Sequence, residues 1–300
     1  MTKRTVETDT LRIAVETVGD AGAPPVVLQH GWPDSVESFA SVAERLAARG
    51  YHCVLPTLRG HGETEYMSDT VPRSGEVVAL ARDLEAVIDG LGLTRPHVVG
   101  HDWGARAAYP AAILFPDKLA SIVPISVGWH PAHAAPLMPI EQAQAFWYQW
   151  WFATPMGAAA LRDRPEAVAR RMWEVWSPDG WFADRDWEAA RPTFANPDWA
   201  ATVTHFYRAR YGLADGDPAY AADAVRFQTA ATIAVPTLLV HGRADRCTLP
   251  SMTDGMAEHV TEPYERVLLE EVGHFPQREA PDSVADLLLD WFARRGASPS

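Results

Sequence analysis

The 300-residue chain predicts an α/β fold, in which a mostly parallel sheet with flanking helices is interrupted by one helical insertion. Apolar runs of strand length alternate with segments of helical periodicity in the first and last parts of the chain, as in sheets built from strand–helix units. Between residues 129 and 225 this alternation stops, and nine of the twelve tryptophans lie there. We therefore expect a core of residues 1–128 and 226–300 and a helical cap of residues 129–225.

In the first part of the core, strands and helices are predicted from their periodicity. Residues 11–18 alternate between apolar and polar, as in a strand with one exposed face. The shorter, continuous apolar runs are typical of buried parallel strands, and the helical segments place apolar residues three and four positions apart. The predicted strands are residues 11–18, 26–28, 52–56, 97–99 and 119–126, and the predicted helices are residues 38–49, 76–91 and 105–115.

The same alternation returns after the insertion. Residues 236–241 and 264–269 have the apolar content of strands, and residues 283–294 have helical spacing. Several prolines punctuate the insertion, so helices and loops are expected there rather than strand–helix units. The last residues, 296–300, are small or polar and are predicted to be disordered.

Composition and charge limit the function classes. The formal net charge of −13 argues against nucleic acids and anionic membranes as partners. The chain has no run of 18 apolar residues, and its first residues lack the apolar region of a secretion signal. Its two cysteines, Cys53 and Cys247, show no sign of pairing, which favours a reducing compartment. We expect a cytoplasmic protein.

The most informative motif is Gly100-His101-Asp102-Trp103-Gly104, which follows a predicted strand and precedes a predicted helix. The pattern of a small residue, a nucleophile and a second small residue is that of a nucleophile elbow, whose sharp turn requires small flanking residues. An aspartate in this place attacks carbon and forms an alkyl ester with the enzyme, whereas a serine would form an acyl ester.

Three further motifs follow predicted strands. They are His30-Gly31-Trp32-Pro33, Asp245 at the end of His241-Gly-Arg-Ala-Asp245, and His274 in Val272-Gly-His-Phe275. Taken singly, Asp245 could cap a helix and His274 could be a buried structural histidine. Together with Asp102 they resemble the α/β-hydrolase family, in which nucleophile, acid and histidine occur in this order. The resemblance covers nearly the whole chain and implies an α/β-hydrolase fold with a cap.

The roles of these residues follow from their chemistry. His274 would activate water as a general base, because an imidazole with a pKa near ~6.5 can do so at neutral pH. Asp245 would hold the other ring nitrogen and stabilise the imidazolium. Water would attack the ester of Asp102, and the backbone N–H groups of Trp32 and Trp103 are expected to hold the resulting oxyanion.

The cap distinguishes between the branches of the family that use an aspartate. Opening an epoxide releases a strongly basic alkoxide, which needs an acid such as tyrosine, with a pKa of about 10. Tyr148-Gln149 and Tyr207-Arg208 resemble the cap tyrosines of epoxide hydrolases. Both tyrosines could instead only pack. We predict them as catalytic acids, and Arg106, Gln149 and Trp150 as substrate-binding residues.

Two other hypotheses remain open at this stage. A dehalogenase would use the same aspartate, and Trp103 could donate its indole N–H to the departing halide. Arg106 matches one of two arginines that hold the carboxylate in haloacetate dehalogenases, but haloalkane dehalogenases usually carry Asn or Glu at the place of Trp32. A ligand-binding homologue without activity is the third hypothesis, although no catalytic residue is missing.

Cofactors and partners complete the expectations. His130-Pro-Ala-His133 has a metal-like spacing but lacks a neighbouring cysteine or carboxylate cluster, so we expect neither a metal nor a cofactor. The tryptophans of the cap favour a small apolar or aromatic substrate, although they could equally form the core of the cap. The sequence leaves the oligomeric state open, a homodimer included.

Overall fold

The computed structural model of the protein describes residues 1–295, so the predicted disorder of residues 296–300 lies outside the described residues. The strands found in that range are β1 Thr2–Glu7, β2 Leu11–Val18, β3 Pro25–Gln29, β4 His52–Pro56, β5 Glu65–Tyr66, β6 His97–His101, β7 Ser121–Ile125, β8 Thr237–Gly242 and β9 Tyr264–Leu269. They form one sheet in the order β1-β2-β4-β3-β6-β7-β8-β9, with β5 paired beside β2. Pairing is antiparallel around β2 and parallel from β4 to β9.

Two strands were not predicted from the sequence. Only Val6 is buried in β1, because this strand forms the edge of the sheet and exposes its other residues. A strand with a single buried residue has no apolar alternation that a sequence pattern could reveal. The second, β5, has only two residues, which is too short for any periodicity.

Helices cover both faces of the sheet, which confirms the predicted fold class. Consecutive residues of a strand point to opposite faces. Val98 therefore packs with the helices formed by residues 77–90 and 103–114 on one side of the sheet. Val99 packs with the helices formed by residues 40–47 and 281–293 on the other side. The helices in the described residues are α1 Ala40–Ala47, α2 Val77–Gly90, α3 Trp103–Leu114, α4 Ile140–Ala145, α5 Trp147–Ala153, α6 Pro155–Asp163, α7 Pro165–Trp176, α8 Asp184–Ala190, α9 Trp199–Arg210, α10 Ala221–Thr229, α11 Pro276–Glu279 and α12 Pro281–Ala293.

The segment between β7 and β8 is helical and contains α4 to α10. Its buried aromatic side chains, among them Phe152 and Trp173, form one cluster with Trp32 of the loop after β3 and Trp103 at the start of α3. The predicted cap boundary at residue 225 falls inside α10, a helix that packs against α3. The aromatic cluster therefore covers the carboxyl ends of the parallel strands, which the predicted catalytic motifs follow.

Within residues 1–295, no helix combines the length and the apolar character that crossing a bilayer requires.

Candidate active site

The nucleophile elbow has the predicted strained geometry. Asp102 links the end of β6 to the start of α3 and adopts φ 48° and ψ −107°, in the region of positive φ that side chains disfavour. A Cβ added to Gly104 would lie 2.1 Å from the carbonyl oxygen of Gln29, and one added to Gly100 would lie 2.3 Å from the backbone of Gly104. Only glycine lets the helix approach the strands closely enough to close this turn.

Replacing Gly104 with alanine is expected to destabilise the fold by about 1–3 kcal/mol, the usual cost of overpacking a close contact. Denaturant unfolding followed by circular dichroism would measure the loss. The matched control is Gly22→Ala, where the added Cβ would meet only one side-chain atom, at 3.6 Å. Equal unfolding midpoints for the two variants would contradict the close approach at the elbow.

The carboxylate of Asp102 is buried, and partners contact both of its oxygens. The backbone N–H of Trp32 donates to Oδ1 at 3.0 Å, and Nε2 of His274 lies 3.8 Å from Oδ2. Burial alone would raise the pKa of Asp102, but the nearby charge of His274 outweighs it and holds this pKa below its usual value. The aspartate is therefore ionised at neutral pH, as a nucleophile must be.

His274 and Asp245 form the expected pair. Nδ1 of His274 lies 2.8 Å from Oδ2 of Asp245, and Oδ1 of Asp245 accepts from the backbone N–H groups of Cys247 and Thr248 at 2.7 and 3.0 Å. Nε2 of His241 lies 3.1 Å from the same Oδ2. Burial would raise the pKa of Asp245, but the charge of His274 and the hydrogen bond from His241 bring it to about 2.

The imidazole of His274 is oriented toward the nucleophile. The backbone carbonyl of His274 accepts hydrogen bonds from Nε2 of His101 at 2.7 Å and from Oγ of Ser126 at 2.9 Å. Burial would lower the pKa of His274, but Asp245, and then Cys247 and Asp102, raise it well above its usual value. Its buried Nε2 has no hydrogen-bond partner within residues 1–295, so this atom can contact a water or substrate beside Asp102.

The predicted tyrosines lie together beside Trp32, whose backbone N–H contacts Asp102. Tyr148 on α5 and Tyr207 on α9 are both buried, and their ring centroids lie 5.6 Å apart. Each ring is also 5.8 Å from the indole of Trp32. Burial, together with the negative charge of Asp102, raises the pKa of both tyrosines well above its usual value. Their hydroxyls therefore stay protonated and can donate a proton to a developing alkoxide.

The predicted substrate-binding residues are placed differently from one another. Gln149 is buried; its amide donates to the hydroxyl oxygen of Tyr148 at 2.9 Å and accepts from the hydroxyl of Tyr211 at 2.7 Å. Arg106 lies one helical turn after Asp102, whose carbonyl accepts from the Arg106 backbone N–H at 2.9 Å. Trp150 is 38% exposed and packs on Tyr211, so no contact with the buried cluster supports its predicted role.

Sequence reasoning missed two residues of the site. Cys247 is fully buried, and its Sγ lies 3.4 Å from the hydroxyl of Tyr148. Its position two residues after Asp245 was the available signal. Trp176 ends α7 and places its ring 5.0 Å from His274 and 4.9 Å from Tyr148. No motif distinguished it from the other tryptophans of the cap.

Comparisons with known proteins cover nearly the whole chain. Residues 24–281 match the family described as alpha/beta hydrolase fold. The chain is 31% identical to epoxide hydrolase A of Mycobacterium tuberculosis, with 97% of each protein covered. A candidate epoxide hydrolase from Klebsiella pneumoniae subsp. pneumoniae has a solved structure with a TM-score of 0.91 and 32% identity over 96% of both chains. Epoxide hydrolase A from Mycobacterium thermoresistibile gives a TM-score of 0.75 and 26% identity, covering 97% of this chain and 98% of its own.

Proposed function

This chain belongs to the α/β-hydrolase family, and from that membership we propose that it hydrolyses epoxides to vicinal diols. The observation that carries the proposal is the pair of buried tyrosines packed against each other and against Trp32, whose backbone N–H donates to the ionised carboxylate of Asp102. A carboxylate suffices to displace a halide, which leaves as a weak base, whereas an alkoxide leaving group also needs a proton donor. The pair Tyr148 and Tyr207 supplies that donor.

In the first step, the Asp102 carboxylate attacks one carbon of the epoxide ring. The carbon–oxygen bond breaks, and the oxygen takes a proton from Tyr148 or Tyr207 and becomes the first hydroxyl of the product. The product of this step is an ester between Asp102 and the substrate, together with one tyrosinate. The aromatic surroundings exclude water, which strengthens the hydrogen bonds to the developing alkoxide.

In the second step, water attacks the carbonyl carbon of the ester while His274 removes a proton from it. The oxyanion forms on the side chain of Asp102, where Oδ1 already accepts from the Trp32 N–H and where the Trp103 N–H is proposed to contribute. The ester bond then breaks, and the second hydroxyl of the diol leaves. One proton of the water ends on that hydroxyl and the other on His274, which has earlier passed its own proton to the tyrosinate, so the enzyme returns to its initial state.

Ester formation also prepares His274 for its role. The contact with the ionised carboxylate of Asp102 is one of the influences that raise the pKa of this imidazole. The ester carries no charge, so alkylation lowers the pKa of His274 and makes loss of its proton easier. The histidine would thus be held protonated beside the free carboxylate, pass this proton to the tyrosinate once the ester exists, and then act as the base.

We expect Tyr148→Phe and Tyr207→Phe each to slow ester formation about tenfold and the double variant to slow it about 10²–10⁴-fold, the range that general acids contribute. Either hydroxyl can serve as donor when the other is missing, which is why the double change should be far worse. Single-turnover kinetics with a terminal aryl epoxide would measure the step. Tyr264→Phe is the control, because this hydroxyl lies in a different apolar cluster. Full epoxide activity in the double variant would contradict the assignment of Tyr148 and Tyr207 as the acids.

The proposed substrate class and the proposed division into cap and core build on the expectations from the sequence. Six aromatic rings surround Trp32, so a small apolar or aromatic epoxide fits the site best. The helical segment of residues 129–225 is proposed as the cap that supplies both tyrosines, and residues 1–128 and 226–300 as the core that supplies the nucleophile, acid and base. Comparing diol release from styrene oxide with halide release from haloacetate tests the function directly.

A further inference from the structure

Two polar side chains of the helical segment between β7 and β8 are buried against the loops that carry Asp245 and His274. Ser177 directly follows α7, and Gln142 lies in α4. Both residues are fully buried. Burying a hydroxyl or an amide costs free energy unless its hydrogen bonds are made, so the partners of these two side chains show what their burial achieves.

Ser177 holds the backbone of the catalytic histidine. Its Oγ accepts a hydrogen bond from the backbone N–H of His274 at 2.8 Å and donates one to Oε1 of Glu279 at 2.6 Å. The same carboxylate accepts from the backbone N–H groups on either side of the histidine, those of Gly273 at 2.7 Å and Phe275 at 2.9 Å. One serine and one glutamate therefore fix three consecutive amides, and the serine comes from the segment that covers the core.

The backbone around Ser177 contacts the loops of both the base and the acid. A Cβ added to Gly273 would lie 2.3 Å from Oγ of Ser177 and 2.5 Å from its Cα, so the two chains are packed closely. The carbonyl oxygen of Trp176 accepts from the backbone N–H of Arg246 at 3.0 Å, and Arg246 directly follows Asp245. Two successive residues of the helical segment thus hold both loops at once.

Gln142 makes a second contact with the loop of the acid. Its Nε2 donates to the backbone carbonyl of Cys247 at 2.8 Å, and its Oε1 accepts from the backbone N–H of Leu249 at 2.7 Å. The amide therefore spans the turn in which the N–H groups of Cys247 and Thr248 donate to Oδ1 of Asp245. A shift of this turn would move the carboxylate that orients the catalytic imidazole.

We propose that Ser177 and Gln142 are positioning residues for the acid–base pair, and that hydrolysis of the ester depends on them. This inference rests on the proposed function and concerns its second step. Nδ1 of His274 and Oδ2 of Asp245 lie 2.8 Å apart, although they belong to loops after two different strands. A misplacement of about 1 Å can slow a reaction about 10²-fold, so these loops must be held in place. The segment that supplies the tyrosines of the first step thus also aligns the base of the second.

The first test separates the two steps of the reaction. In Ser177→Ala we expect hydrolysis of the ester to slow by about 10–10²-fold, because the backbone of the imidazole is no longer fixed. Ester formation, which uses Asp102 and the proposed tyrosine acids, should change little. The ester should therefore accumulate during turnover of a terminal aryl epoxide, as measured by rapid quenching and intact-protein mass spectrometry. Gln142→Leu, which removes both hydrogen bonds of the amide, should give the same separation of the two rates.

Two matched variants distinguish positioning from a general loss of stability. Ser121→Ala removes an equally buried hydroxyl at the amino end of β7, the end opposite to the active site. Gln144→Leu changes an exposed glutamine of the same helix as Gln142. Both variants should hydrolyse the ester at the rate of the unmodified protein. Equal slowing of ester hydrolysis in Ser121→Ala, or equal slowing of both steps in Ser177→Ala, would overturn the inference.

The second test does not depend on turnover. In proton NMR, the Nδ1 proton between His274 and Asp245 should give a resonance far downfield while the two groups are held in contact. We expect this resonance in the unmodified protein and in Ser121→Ala, and its loss in Ser177→Ala and Gln142→Leu at the same pH. If no epoxide is hydrolysed, the proposed function fails and the resonance alone decides on the positioning. Absence of the resonance from the unmodified protein, or an unchanged resonance in both active-site variants, would overturn the inference.

Discussion

The Asp102→Ala variant is expected to lose epoxide turnover by about 10⁴–10⁶-fold, the effect of removing a nucleophile from a catalytic set that works as a unit. Without the carboxylate no ester can form, and His274 has no intermediate on which to direct water. Alanine is small enough for the tight elbow, although the φ of 48° remains unfavourable for it. Steady-state diol formation measures the loss.

Two controls make this result interpretable. Thermal unfolding should show that Asp102→Ala is still folded, so that lost activity can be assigned to chemistry. Asp9→Ala removes an equal charge from the turn between β1 and β2 and should keep full activity. Turnover by Asp102→Ala comparable to that of the unmodified protein would refute the entire mechanism, because no other carboxylate occupies the elbow.

The second large effect is expected from His274→Gln, which should trap the covalent ester. Glutamine cannot act as the base, so deacylation should slow by about 10²–10⁴-fold, while Asp102 can still attack. In ring opening the oxygen stays bonded to the carbon skeleton, and an epoxide therefore adds its full mass to the protein. Intact-protein mass spectrometry after incubation with a terminal aryl epoxide would detect this adduct.

The same measurement separates the epoxide reaction from the dehalogenase alternative. A halogenated substrate would add its mass less one hydrogen halide, because the halide departs. The epoxide adduct should disappear when Asp102 is also changed to alanine, which assigns the ester to that residue. An adduct formed only by halogenated compounds would favour the dehalogenase. The absence of any adduct, in a folded variant, would argue against the ester mechanism for these substrates.

Local patterns in the sequence were sufficient for the architecture and for the order of the catalytic motifs. Buried parallel strands need continuous apolar runs, and the helices that cover them need one apolar face. Both patterns can therefore be recognised in short stretches of consecutive residues. The elbow motif is also local as a pattern, and the contact of Gly100 with Gly104 lies within the turn, although glycine at 104 is required by the approach of Gln29 from another strand. The edge strand β1 was not predicted, because a strand that buries only Val6 does not need alternating apolar residues.

The environment of the reacting groups depended on contacts between segments far apart in the chain. Cys247 and Trp176 come to lie beside Tyr148 only because the helices after β7 fold over the ends of the strands. The raised pKa of His274 and the lowered pKa of Asp245 run against the effect of burial and come chiefly from their contact with each other across 29 residues of chain, which no local pattern encodes. Ser177 and His274, 97 residues apart in the chain, form a hydrogen bond for the same reason. Periodicity and turn chemistry are properties of neighbouring residues, whereas charge, burial and cavity shape are properties of the packed molecule, and these last were decided by the tertiary structure alone.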